Sequence, residues 1–329
     1  MLRSSSHTFF TVFALVASLA MYSSSTWASS EIDQHLRDQY QHKTLVLRGF
    51  FTGKSLHFDY AGNPVGGGPS GDWTVDAVVQ VNEIKVKGNR LSIRAARLHL
   101  GWFHDSGLSV VHDLDAQGKP DKDESKNRAL EIEADLGSGG ATTEAVDAAL
   151  ARIFLTSRDD FSGFVPEYWK PCVRAALGAE NDKSYNACRF STDLLAALGV
   201  AGRSDLPANT TSSVRQIQSF GPKPPDERQP SENGVFHVGR GVSPPRVISQ
   251  PGIEFSEYAR KSKFQGTVVL SLIVDREGLP RDIHITNPIG CGLDEKAVQA
   301  AEAYRFKPGE KDGEPVAVKI ALEVDFHLY

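Results

Sequence analysis

Cysteine, basic charge and long apolar runs are all scarce in this chain. Three cysteines stand among 329 residues, Cys172, Cys188 and Cys291, so one intramolecular bridge is the most that can form. Lys and Arg number 36 against 41 acids, leaving a net charge of −5 and no strongly basic run. That balance argues against a nucleic-acid or anionic-membrane surface. Beyond Tyr22 no apolar segment reaches the roughly 20 residues that cross a bilayer as helix. There are no fixed-period repeats.

Chemistry-bearing motifs are missing too. His99, His104 and His112 are the densest histidine group, but they fall on a strand and the loop after it without metal-ligand spacing. Asp113, Asp115, Asp121, Asp123 and Glu124 make an acidic loop. With Gly118 they fall short of the alternating oxygens and sharp glycine turn of a calcium site. Gly66-Gly67-Gly68 does not lead a strand into a helix, so it is no phosphate cradle. Ser162-Gly163 does not form a nucleophile elbow. The expectation is a protein without catalytic residues, metal or cofactor.

What is present begins with a leader. Arg3 precedes 14 mostly apolar residues, Phe9 to Tyr22, and a small polar stretch follows with Thr26-Trp27-Ala28 as a cleavage site. This is the three-part layout of a secretory signal peptide. As helix the run spans about 21 Å, short of a hydrocarbon core of about 30 Å. Residues 1–28 therefore read as a cleaved leader and the mature chain as periplasmic, with an inner-membrane anchor as the alternative. In an oxidising compartment Cys172 and Cys188, fifteen residues between them, are the favoured pair, worth about 3 kcal/mol in the chain-entropy model. Three pairings stay open, and Cys291 reads as a buried hydrophobe or a reactive thiol.

Residues 31–201 read as a β-rich domain with helices. Trp73, Val75, Ala77, Val79 and Val81 alternate, and Ile84 and Val86 continue in the other phase. A bulge near Asn82–Glu83 explains the slip. Lys87-Gly88-Asn89-Arg90 is a hairpin turn, and Leu130, Ile132, Ala134 and Leu136 alternate again. Thr142 or Thr143 caps a helix carrying Val146, Ala149, Leu150, Ile153 and Phe154 at helical spacing. Lys170 to Leu198 reads as more helix, ended by Gly199. The fold class is α+β, opening with a small β-barrel or curved sheet with helices packed on it. Residues 202–245 are rich in proline, including Gly221-Pro222-Lys223-Pro224-Pro225, and read as a semi-rigid linker.

The last stretch, 246–329, has the clearest patterning. A short helix over Ile253 to Lys261 precedes a strand, Thr267 to Asp275, a turn at Arg276-Glu277-Gly278, and a return strand, Pro280 to Thr286. Leu293, Ala297, Ala300, Ala301 and Tyr304 then form one apolar helical stripe, with the acids Asp294 and Glu295 at the positive end of the helix dipole. From Val316 to Leu328, thirteen residues hold one phase of alternation, against a usual strand of five or six.

Five pieces in order, Gln265-Gly266-Thr267-Val268-Val269, Val274-Asp275-Arg276-Glu277-Gly278, Leu293-Asp294-Glu295-Lys296-Ala297, Tyr304-Arg305-Phe306-Lys307-Pro308 and Gly313-Glu314-Pro315-Val316, resemble the TonB C-terminal domain family over about 244–329. The usual tyrosine-proline before the first helix is replaced by Ser249-Gln250-Pro251. The resemblance implies an antiparallel sheet with helices that grips a segment of an outer-membrane TonB-dependent transporter by strand addition, linked to energy-dependent uptake. It makes the last strand the partner-binding edge, through Val316, Val318, Lys319, Ile320, Leu322, Glu323, Val324, Asp325 and Phe326. The outward charges read equally as tuning a guest or as guarding an edge against aggregation. Homodimerisation through the C-terminal strands is a further option. The serine–histidine pair, four residues apart, by which the family's membrane helix meets its inner-membrane motor proteins is missing, since Arg3 stands where His7 would need a serine. Without an anchor the chain could bind a partner but not pull on it. An anchored energy transducer with an uncleaved helix, and a ligand- or glycan-binding role for the N-terminal domain, are the alternatives.

Overall fold

The computed structural model describes residues 31–66, 68–111, 128–199 and 234–328. The leader, His112, the acidic loop and most of the proline-rich stretch lie outside these residues.

The fold is mixed α+β. Helix α1 (31–39) leads into β1 (Thr44–Val46), β2 (Ser55–Phe58), β3 (Pro64–Gly66), α2 (Trp73–Asp76), β4 (Val78–Lys87), β5 (Arg90–Leu98), β6 (Leu100–Phe103), β7 (Gly107–Val110) and β8 (Ala129–Asp135). Six of these strands form one sheet in the order β1-β4-β5-β8-β2-β3. Every pairing is antiparallel except β2 with β8. Its end strands β1 and β3 do not pair with each other, so the curled sheet stays open.

The register of β4 on β5 shifts between Val81 and Glu83. That bulge moves the buried set from Val79 and Val81 to Ile84, as the slip in alternation predicts. One face of the sheet is covered by Ile32 and Leu36 of α1 and by Val146, Leu150 and Ile153 of α3 (Thr143–Ile153). The Thr142 hydroxyl accepts a bond from the Ala145 amide at 3.1 Å and so caps α3.

Two expectations change here. Trp73–Asp76 is a turn of helix, not the start of a strand. The indole of Trp73 is buried edge-on against Trp169 (5.1 Å between centroids) and Phe161 (5.3 Å), and this aromatic cluster overrides the local alternation. Lys170 to Leu198 is helical only in part: α4 (Lys170–Ala176) and α5 (Thr192–Ala197) flank a short 3-10 turn. The Cys172–Cys188 disulfide joins the two sides, with Cα atoms 5.2 Å apart.

The C-terminal unit comprises β9 (Val235–His237), β10 (Arg246–Ser249), α6 (Glu257–Ser262), β11 (Gly266–Val274), β12 (Pro280–Asn287), α7 (Leu293–Ala303), β13 (Arg305–Lys307), β14 (Gly309–Lys311) and β15 (Glu314–Phe326). Its sheet runs β12-β11-β15-β14, with β9 added to β15. The folded unit thus reaches back to residue 235, into the proline-rich stretch. Phe236 and Val242 bury against Val316 and Val318.

The two units share a core. Trp73, Leu100, Phe161, Trp169 and Phe190 belong to the same buried cluster as Leu270, Ile285, Leu293 and Ala297. Backbone bonds tie them: the Trp102 amide donates to Ile289 O (2.8 Å) and the Cys291 amide to Leu100 O (2.7 Å). Gly290 sits at φ +84 between them, where a Cβ would fall inside contact distance of Leu100 O. Only glycine permits that approach.

Candidate functional site: the edge of the last strand

β15 is thirteen residues long, and β11 pairs with it from Gly266↔Phe326 to Val274↔Val318. Even-numbered side chains point to the core and odd-numbered ones to the other face, because successive residues of a strand alternate. Val316, Val318, Val324 and Phe326 are buried, and Phe326 meets Phe255 edge-on at 5.5 Å.

The flank opposite β11 is divided. Val235, Phe236 and His237 of β9 pair in parallel with Ala317, Val318 and Lys319. β14 folds back on the start of the strand, pairing Gly309 with Val316 and Lys311 with Glu314. From Ile320 to Phe326 no strand pairs with that flank among the described residues. Ile320 and Leu322 are the two of the six even-numbered residues from Val316 to Phe326 that are not buried. They lie where the flank is open. The first half of the expected edge, Val316 to Lys319, is therefore occupied by the chain itself, and Ile320, Leu322, Glu323, Val324, Asp325 and Phe326 are the open part.

On the odd face Glu323 and Asp325 are exposed. The Thr267 hydroxyl donates to Asp325 Oδ1 at 2.9 Å, and His327 Nε2 lies 3.1 Å from Asp325 Oδ2. Glu323 is opposite Val269, so its neighbour on β11 offers no countercharge.

Asp294 and Glu295 stand in the first turn of α7, as the sequence reading has them. They are also buried, at 0% and 3% exposure. The Ile289 and Gly290 amides donate to the two carboxylate oxygens of Asp294 at 2.9 and 2.7 Å. Burial nevertheless pushes this acid up to about 7. Trp169 Nε1 donates to Glu295 Oε1 at 2.9 Å, and Oε2 has no hydrogen-bond partner. Burial, then the nearby charges of Asp72 and Asp294, hold Glu295 well above the usual carboxylate range. The Trp169–Glu295 bond ties the sheet-bearing unit to the N-terminal one. No sequence pattern announced it, because Trp169 and Glu295 are 126 residues apart.

His99 is buried with its ring 3.7 Å from that of Tyr258, centroid to centroid. Burial, then Arg128 and Arg97, push it down to about 3. His104 is exposed beside Asp105, so the two histidines do not converge. Among the described residues no group of three or more His, Cys, Asp or Glu could hold a metal. No helix among them is long and apolar enough to cross a membrane.

A family model described as the Gram-negative bacterial TonB protein C-terminal matches residues 251–328. Those residues form a TonB C-terminal domain. Protein TonB of Vibrio cholerae serotype O1 (strain ATCC 39315 / El Tor Inaba N16961) is 28% identical over 109 residues, covering 31% of this chain and 44% of that protein. The chain thus spans less than half the length of that curated relative. The solution NMR structure of the Pseudomonas aeruginosa TonB CTD aligns at 17% identity, covering 28% of this chain and 92% of that one, with a TM-score of 0.23. In this TonB C-terminal domain β15 supplies the long strand, β11 and β12 its hairpin, and α7 the helix that covers the apolar face. β9 and β10 precede the matched residues, and the N-terminal unit lies wholly outside them.

Proposed function

We infer that the TonB C-terminal domain of this protein works in the periplasm and receives an extended segment of an outer-membrane TonB-dependent transporter, in a TonB-like role in energy-dependent uptake. The observation that carries this reading is the flank of β15 from Ile320 to Phe326, with which no strand pairs among the described residues. Exposed N–H and C=O groups on a strand edge accept an extended peptide, and its backbone bonds supply affinity without demanding a particular sequence. A guest there would continue the line that β9 begins at Ala317–Lys319. It would also cover Ile320 and Leu322, the half-buried members of an otherwise buried row.

The test is site-specific photo-crosslinking in intact cells, with the crosslinking residue at Ala321 on the open stretch and, as control, at Glu277 in the β11–β12 turn. The expected result is capture of an outer-membrane transporter from position 321 and not from 277. Capture from both positions alike, or of no outer-membrane protein from 321, would remove the reading.

A further inference from the structure

We propose that the open flank of β15 selects a guest strand whose side chains alternate between apolar and basic, the basic ones lying beside Glu323 and Asp325. The proposal rests on the strand-addition reading above and adds to it the chemistry of the partner.

Side chains directly opposite on neighbouring strands share a face of the sheet. A strand paired along Ile320 to Phe326 therefore presents alternate residues to two different surfaces. On the core face it meets Ile320 and Leu322, both half-buried, with no strand paired beside them on that flank among the described residues. Apolar guest side chains complete their burial. On the other face it meets Glu323 and Asp325, and between Ile320 and Phe326 there is no lysine or arginine. Glu323 is exposed, faces Val269 on β11, and makes no ion pair among the described residues. Asp325 already accepts from Thr267 and lies beside His327, which leaves Glu323 as the uncommitted acid. An acidic guest residue opposite it would repel; a lysine or arginine would pair.

β9 marks where selection begins. It occupies the flank through Lys319 and then leaves at Gly239, a residue with φ +111. Lys319, the cation of this stretch of β15, thus stands beside His237 rather than beside the guest. The guest reads only the acidic half.

The test uses the full chain and two synthetic ten-residue peptides, one alternating valine with lysine and one alternating valine with glutamate, with binding measured by calorimetry at low salt. Backbone amide exchange on the protein localises the site. The expected result is protection of the amides in 320–326 and tighter binding of the lysine peptide. One opposed charge pair accounts for a preference of up to about five-fold. In E323K the preference falls or reverses. In E277K, whose charge lies in a distant turn, it persists, which separates local pairing from the attraction of any cation to a chain of net charge −5. Equal binding of both peptides with protection at 320–326 would overturn the charge selection and leave strand addition standing. A preference equally lost in E277K would do the same. No protection of 320–326 by either peptide would overturn both.

Discussion

Replacing Glu295 with glutamine should change how the stability of the protein depends on pH. Glu295 is 3% exposed, accepts a single bond from Trp169, and has a second oxygen with no partner. Burial and the charges of Asp72 and Asp294 raise its pKa well above the ordinary 4.5. The sign follows from proton counting. Above about pH 4.5 the unfolded chain releases this proton, while the folded protein keeps it until the raised pKa is reached. Stability from this group is fully present below pH 4.5 and declines as pH rises between the two values. Over that range the decline runs at up to about 1.4 kcal/mol per pH unit for one proton, a slope that the glutamine variant lacks. The amide brings a pH-independent offset of about 1–3 kcal/mol where its NH2 replaces the unpartnered oxygen. The readout is therefore the difference in slope, not the absolute stability. Urea unfolding of the full chain at half-unit steps from pH 4.5 to 7.5, followed by tryptophan fluorescence, measures it. Parallel curves for the two proteins would refute the claim that Glu295 is held protonated at the junction of the two units.

Further predictions follow from the packing. Gly290→Ala places a Cβ against Leu100 O at a φ of +84; with about 1–2 kcal/mol for the left-handed backbone and strain on two hydrogen bonds worth about 1 kcal/mol each, it should destabilise by about 3–4 kcal/mol, as chemical denaturation would show. Cys172→Ser with Cys188→Ser removes the disulfide and should cost about 3 kcal/mol, with the loss seen in oxidised but not in reduced samples. Thr142→Ala deletes the cap of α3 and should cost about 1 kcal/mol, measured as a lower urea midpoint at unchanged m.

Much of the local structure is readable in the residue pattern. The phase of β15, the bulge after Val81 and the Thr142 cap all follow from interactions within a few residues or with one neighbouring strand. Alternation reports only that one face of a strand is buried. It does not say which backbone lies beside the strand, so it could not reveal that β14 and β9 close Val316 to Lys319 while no strand among the described residues pairs with Ile320 to Phe326 on that flank. The small segment Val235-Phe236-His237, between Gly234 and Gly239, was a visible apolar island in the proline-rich stretch. Its parallel pairing with β15 was not visible, since parallel partners share no turn.

By itself, then, the order of residues determined the three long strands and the two helices of the TonB C-terminal domain, though not the short strands β13 and β14, because side-chain periodicity and caps act at short range. Tertiary structure alone decided three things: that Trp73 ends up in a helix, that Asp294 and Glu295 are buried, with Glu295 bonded to Trp169, and that half of the last strand's edge is open among the described residues. Each depends on groups far apart in sequence competing for the same space in a shared core, and no local pattern encodes the outcome of that competition.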